Sequence, residues 1–236
     1  MTLRGLVLAL VVLVVGTLIT VTGLAGQDAA DGRPAQGVGT ALGPPEDADV
    51  DAWFAVAQAR ATKVSGATPE LPLLALVSLT GTLTPPEAVR LAGGTGLQTP
   101  RAYLRAPVSA GLPEELSVEV PADLASTLEA IYEATAARKT RDKAAFGELA
   151  TSIGAAGDQD ARQTAVDAAA LSGQEADAYA TGCACVVALV VAGPAATLAR
   201  LRAQPEVRGV ELAARGASLL DLQVDPLAPS ATGGQP

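Results

Sequence analysis

The sequence predicts an α+β protein: an N-terminal transmembrane helix, then a sheet built from two similar strand–helix–strand segments with a long helical insertion between them. Three observations predict this. Residues 5–27 carry no charge, and residues 6–21 read LVLALVVLVVGTLITV. Residues 73–106 and 185–213 each read as an apolar run, a tight turn, a proline-started helix, a turn and a second apolar run. Between these two segments the apolar residues recur at helical spacing rather than in alternation.

Composition excludes several functions. The chain has 236 residues, 49% hydrophobic, 3% aromatic and 17% charged, and no histidine. Without histidine there is no Ser-His-Asp or Cys-His catalysis and no His-ligated metal. A net charge of -9 argues against a phosphate-neutralising surface, so no nucleic acid partner is expected. Two cysteines are too few for a disulfide scaffold or a four-thiolate zinc site. No cofactor is implied.

The elements follow in order. Residues 1–4, with Arg4, form a cytoplasmic stub, and residues 5–25 form a transmembrane helix about as long as a bilayer core requires. Arg4 before the run and Asp28 and Asp31 after it orient the chain with its N-terminus inside and the domain outside, as a single-pass plasma-membrane protein. The alternative is a cleaved signal peptide ending near Gly23-Leu24-Ala25, although the apolar run is long for one. Either way the domain is exported. Residues 26–47, rich in Gly, Ala, Pro and Asp, read as a flexible spacer. Residues 48–224 form the extracytoplasmic domain, and residues 225–236 a disordered tail.

Within the domain, a helix over about 49–64 presents Trp53, Val56, Ala57 and Arg60. The first strand–helix–strand segment opens its helix with a capping box, Thr84 to Glu87, and Pro85 at the first helical position. The second opens its helix at Pro194 and spaces Leu198 and Leu201 three apart. Residues 107–120 predict a hairpin returning through Leu116, Val118 and Val120. A helix follows from 122 to about 153, with Leu124, Leu128, Ile131 and Tyr132 on one stripe, and a second runs from about 158 to 179. Two strand–helix–strand units in one chain suggest a ferredoxin-like duplicated sheet. The strand over 184–192 is apolar on both alternating sets, Cys185, Val187, Leu189, Val191 and Val186, Ala188, Val190. Such a strand is buried on both faces, so the inserted helices are expected to cover the second face of the sheet; a dimer through that face is the competing account.

The chemically suggestive pair is Cys183 and Cys185 in GCAC. Thiolates suit redox exchange or a soft metal. In a regular strand residues i and i+2 lie about 6.6 Å apart with parallel side chains, which is unsuited to a disulfide. The pair closes only if Gly182 and Cys183 lie in a kink ahead of the strand. The structural alternatives are a local disulfide, a disulfide between chains, or two buried thiols. Glu114-Glu115 reads as a solvated loop, and residues 138–143, RKTRDK, as a solvated helix face or a docking surface for an acidic partner or membrane headgroups. Asp47, Asp49 and Asp51 alternate like the start of a calcium loop but lack its glycine and final glutamate. Gly93-Gly94-Thr95-Gly96 follows a helix, whereas a phosphate loop precedes one.

Four segments carry a resemblance: TPPEA at 84–88, R-K-x-R-D at 138–142, EADAYATGCACV at 175–186 and PEVRGVEL at 205–212. With the N-terminal run, they resemble a family of actinobacterial exported proteins that have a short membrane anchor and no assigned activity. The resemblance covers most of residues 70–215. It implies a setting, the cell envelope of a high-GC Gram-positive bacterium, and no mechanism. The expected function is a non-enzymatic, membrane-anchored binding or scaffold protein of the envelope with a protein partner. The rival is an extracytoplasmic thiol–disulfide or soft-metal protein using Cys183 and Cys185.

Overall fold

A computed structural model describes residues 40–45 and 47–227. The expected stub and transmembrane helix lie outside the described residues, and among those described no helix is long and apolar enough to cross a membrane.

The expected α+β architecture is present. Both strand–helix–strand segments form: β2 (Pro72–Leu83), α2 (Pro85–Gly93) and β3 (Gln98–Arg105), then β5 (Val186–Pro194), α5 (Ala195–Leu201) and β6 (Val207–Leu212). The start of α2 is fixed locally. The Glu87 carboxylate accepts from the Thr84 backbone N–H at 2.8 Å and from its hydroxyl at 2.7 Å, and Pro85 has no N–H to leave unpaired. The hairpin strand β4 (Glu115–Glu119) pairs with β3. The five strands lie in the order β4-β3-β5-β2-β6, every neighbouring pair antiparallel.

The insertion is two long helices, α3 (Leu124–Ala156) and α4 (Gln159–Ala180). Asp123 caps α3 by accepting from the Ser126 N–H, and Asp158 caps α4 by accepting from Ala161 N–H. Gly157, at φ +83°, supplies the left-handed residue that ends α3 and lets the chain reverse.

The sheet separates two apolar clusters. On the first face Leu73, Ala75, Val77 and Leu79 of β2 meet α2, α5, Leu124, Leu128 and Tyr132 of α3 and Tyr179 of α4. On the second face Leu76, Tyr103, Val187, Ala188 and Val190 are covered by Leu42, Leu222, Ala213 and the partly buried Leu219 and Val224. The expectation that the inserted helices cover this face is therefore corrected. Its cover comes from both ends of the domain. The strand β1 (Thr40–Leu42) pairs in parallel with β7 (Leu222–Val224), and the Asp225 N–H donates to the Leu42 carbonyl at 2.9 Å. Residues 40–42, expected in the spacer, are thus a strand, with Leu42 only 2% exposed.

Two smaller readings also change. The strict alternation expected in β5 breaks near its start, where Val186 faces the first cluster and Val187 and Ala188 both face the second. The β3–β5 register shifts at that point, between Tyr103 and Leu104, and such a bulge inverts the inside-outside parity. The first helix, α1 (Val50–Ala67), buries Phe54, Ala57 and Ala61 and leaves Val56 exposed, so its apolar face is turned by one position from the one expected.

Candidate functional site

The two cysteines sit where α4 hands over to β5. Thr181 ends the helix, and Gly182, at φ +72°, turns the chain into a conformation that side chains resist. The Cys183 N–H then bonds back to the Ala178 carbonyl at 3.0 Å, which closes the helix end. Cys183 and Cys185 therefore stand in the kink that precedes the strand, with their Cα atoms 5.3 Å apart, and they form a disulfide. Cys185 is 0% exposed, inside the first-face cluster, and Cys183 is half-buried against it. Of the structural alternatives the sequence left open, the local disulfide is the one that forms.

Two tyrosines back the bridge. The Tyr132 hydroxyl donates to the Cys183 carbonyl at 3.1 Å, and its ring meets Tyr179 edge-on at 5.2 Å between centroids. Burial pushes the Tyr132 hydroxyl well above the ordinary tyrosine range, and the Cys185 backbone N–H beside it works in the opposite direction. Burial also raises Tyr179, reinforced by Tyr132 and by the negative charge of Glu175 and Glu114. The Tyr179 hydroxyl is buried without a hydrogen-bond partner. Neither phenol is a phenolate at neutral pH, so neither supplies a base.

Next to these rings lies a charged cluster that the sequence did not reveal. Lys139 is 7% exposed and Glu175 only 1%. The Lys139 ammonium meets Glu175 Oε2 at 2.5 Å and Glu114 Oε2 at 2.8 Å. Glu175 Oε1 accepts from the Glu114 backbone N–H at 2.8 Å, and Arg138 reaches Glu114 at 2.8 Å and Asp142 at 3.6 Å. Burial opposes the Lys139 charge, but hydrogen bonds to Glu114 and Glu175 outweigh it and hold its pKa above the ordinary lysine value. Burial likewise works against the Glu114 charge, and Lys139 and Arg138 override it and lower its pKa. A lysine held protonated by two carboxylates is not a nucleophile or a base. The cluster's effect is positional: it ties the loop between β3 and β4 to both inserted helices, alongside Ser109, whose N–H and hydroxyl both donate to Gln174 Oε1 at 2.9 and 2.8 Å.

The expected solvated loop at Glu114-Glu115 holds in part, since both residues are exposed. Glu114 anchors the cluster, and Glu115 lies in β4 paired with Arg105. The solvated reading of 138–143 holds for Arg141 but fails for Lys139. The signal was present in the sequence. Leu124, Leu128, Tyr132, Thr135 and Lys139 continue one stripe of α3, and all five are buried.

The bridge itself has limited chemistry. An incoming thiolate that attacked the half-buried Cys183 sulfur would form a mixed disulfide there and release Cys185 as a thiolate. That charge would appear inside the apolar cluster of the first face, where it is disfavoured. Among the described residues no group of three His, Cys, Asp or Glu side chains is placed to hold a metal ion.

Comparison with known protein families, with curated proteins and with solved structures returns no match for this chain.

Proposed function

We propose that this chain is a membrane-anchored extracytoplasmic domain of a bacterial cell envelope that works by binding a protein partner. The observation that carries the proposal is the closed Cys183–Cys185 bridge in a domain that follows an uncharged apolar run at residues 5–27. Disulfides persist in oxidising compartments and are rare where thiol-reducing systems operate. The run supplies the anchor, at 5–25, and the route out. The resemblance to actinobacterial exported proteins belongs to this proposal and rests on the sequence segments that carry it. So does the ferredoxin-like reading of the sheet. The order β3-β5-β2-β6, with a helix following β2 and β5, supports it. That fold recurs in interaction modules and assigns no function on its own.

The rival use of Cys183 and Cys185 in thiol–disulfide exchange or soft-metal binding has one observation in its favour, the partial exposure of Cys183. The burial of Cys185 weighs more heavily, because a thiolate released there would carry its charge inside an apolar cluster.

Location is tested with a single label. Leu112, at the tip of the β3–β4 loop, is 91% exposed. A Leu112→Cys variant in intact cells is expected to react with a membrane-impermeant maleimide and to remain in the membrane fraction until detergent is added. Labelling only after lysis, or a chain that never sediments with membranes, overturns the proposal.

A further inference from the structure

One groove gathers cations that no carboxylate among the described residues neutralises. It has a volume of about 300 Å³ and lies between the second half of α1, the turn into β2 and the end of β6. Arg60 and Lys63 rise from α1, and Arg215 comes from the loop after β6. All three are exposed. None pairs with a carboxylate among the described residues, as Arg90, Arg101, Arg105, Arg138, Lys139 and Arg208 do; other cations such as Arg141 and Lys143 also lack such a partner, but it is the three around this groove that share an apolar floor. The floor is apolar, with Leu73 and Leu212 buried and Leu71 half-buried.

In a chain of net charge -9, carboxylates are plentiful, yet none is spent here. The helix dipole does not account for the pattern, since the last turn of α1 carries no basic residue and Arg215 reaches the same groove from another element. Arg60 and Lys63 stand three apart on one helix face, where like charges repel. A ligand that brings negative charge to the rim and an apolar group to the floor would relieve that repulsion. The groove is concave and small, at the low end of the size range of ligand pockets. A flat bilayer surface cannot enter such a shape, but a protruding side chain can.

We propose that this groove docks a short acidic segment of a partner protein, its carboxylates against Arg60, Lys63 and Arg215 and one apolar side chain on the Leu73–Leu212 floor. The inference rests on the reading of the domain as a binding module and names the chemistry of its partner.

The test uses the full chain in neutral detergent and a fluorescent peptide, Gly-Asp-Glu-Leu-Asp-Leu-Glu-Gly, with two controls. In one control the acids become amides, and in the other both leucines become serine. The acidic peptide binds, each control binds about tenfold more weakly or worse, and affinity falls as salt rises. The variant Arg60→Glu/Lys63→Glu/Arg215→Glu loses about tenfold or more with an unchanged urea midpoint. Arg141→Glu/Lys143→Glu, which reverses two other cations without carboxylate partners, stays within about twofold. Equal binding of the acidic and amide peptides overturns the proposal, as does undiminished binding by the triple variant. So does capture by phosphatidylglycerol vesicles without peptide binding, which would make the groove a lipid contact. None of these results depends on where the chain resides, so a failure here is distinct from a failure of the maleimide test.

Discussion

Two charged regions of this molecule are built in opposite ways. At the junction of the inserted helices with the sheet, Lys139, Glu175, Glu114 and Arg138 are closed on one another, and the buried Lys139–Glu175 pair has water excluded. At the end of α1, Arg60, Lys63 and Arg215 stand open around an apolar floor with no carboxylate partner among the described residues. The first region is satisfied from within and holds the structure together. The second is satisfied only from outside. Exposure and charge alone do not separate the two, since Arg138 and Arg60 both stand in solvent-facing runs of the sequence. What separates them is whether a partner exists inside the same chain.

Removing one member of the closed region is expected to have the largest effect. Lys139→Met leaves Glu175 buried and unpaired, and costs about 3 to 5 kcal/mol of unfolding free energy by urea denaturation. Adding Glu175→Leu to that variant is expected to recover most of the loss, because the uncompensated charge is then gone. If Lys139→Met unfolds at the native urea midpoint, the cluster is not the anchor described here.

The bridge comes next. It closes a loop of only three residues, so chain entropy limits its contribution to about 1.5 kcal/mol. Cys183→Ser/Cys185→Ser is expected to lose about that much and to keep its fold and its peptide binding. Loss of peptide binding with the stability intact would return the cysteines to the centre of the function. Asp158→Ala, which removes the α4 cap, is expected to cost about 1 kcal/mol. The charge-reversed groove variants sit at the bottom of the scale, within about 0.5 kcal/mol, because the replaced side chains have no carboxylate partner among the described residues.

Acidity sharpens the same comparison. Glu114 is lowered below its ordinary value of 4.5, so its contribution is fully present above that pH and is lost as pH falls through the lowered value. Lys139 is raised above its ordinary 10.5, so its contribution is present below that pH and is lost as pH rises through the raised value. Together they predict a stability plateau between about pH 5 and 10 with a decline on each side. In Lys139→Met the alkaline decline is expected to shrink, which denaturation at stepped pH values would read directly.

The elements that were legible in the sequence are those fixed by neighbours in the chain. Thr84, Pro85 and Glu87 start α2 within four residues, and Pro194 and Pro205 bracket α5. The kink at Gly182 was the one geometry in which Cys183 could reach Cys185, but the sequence left the local bridge as one of three structural alternatives. The cover of the second face was not legible. It depends on pairing Thr40 with Leu222 through two strands of three residues each, too short to show a period. Lys139 was misread because a run of charges looks solvated unless the stripe from Leu124 is followed to its end. The groove was invisible for a similar reason, since Arg215 joins Arg60 and Lys63 only after the sheet has formed.

The central claim is that the closed sites are structure and that Cys183 and Cys185 are a lock in a domain proposed to lie outside the cell. The most direct test takes the chain from native envelopes, blocks free thiols with an alkylating agent before lysis, and weighs the intact protein without reduction and again after reduction and a second alkylation. The account predicts no alkyl group before reduction, two after it, and the mass of a single chain. Two thiols that label readily in the folded, unreduced protein would contradict it.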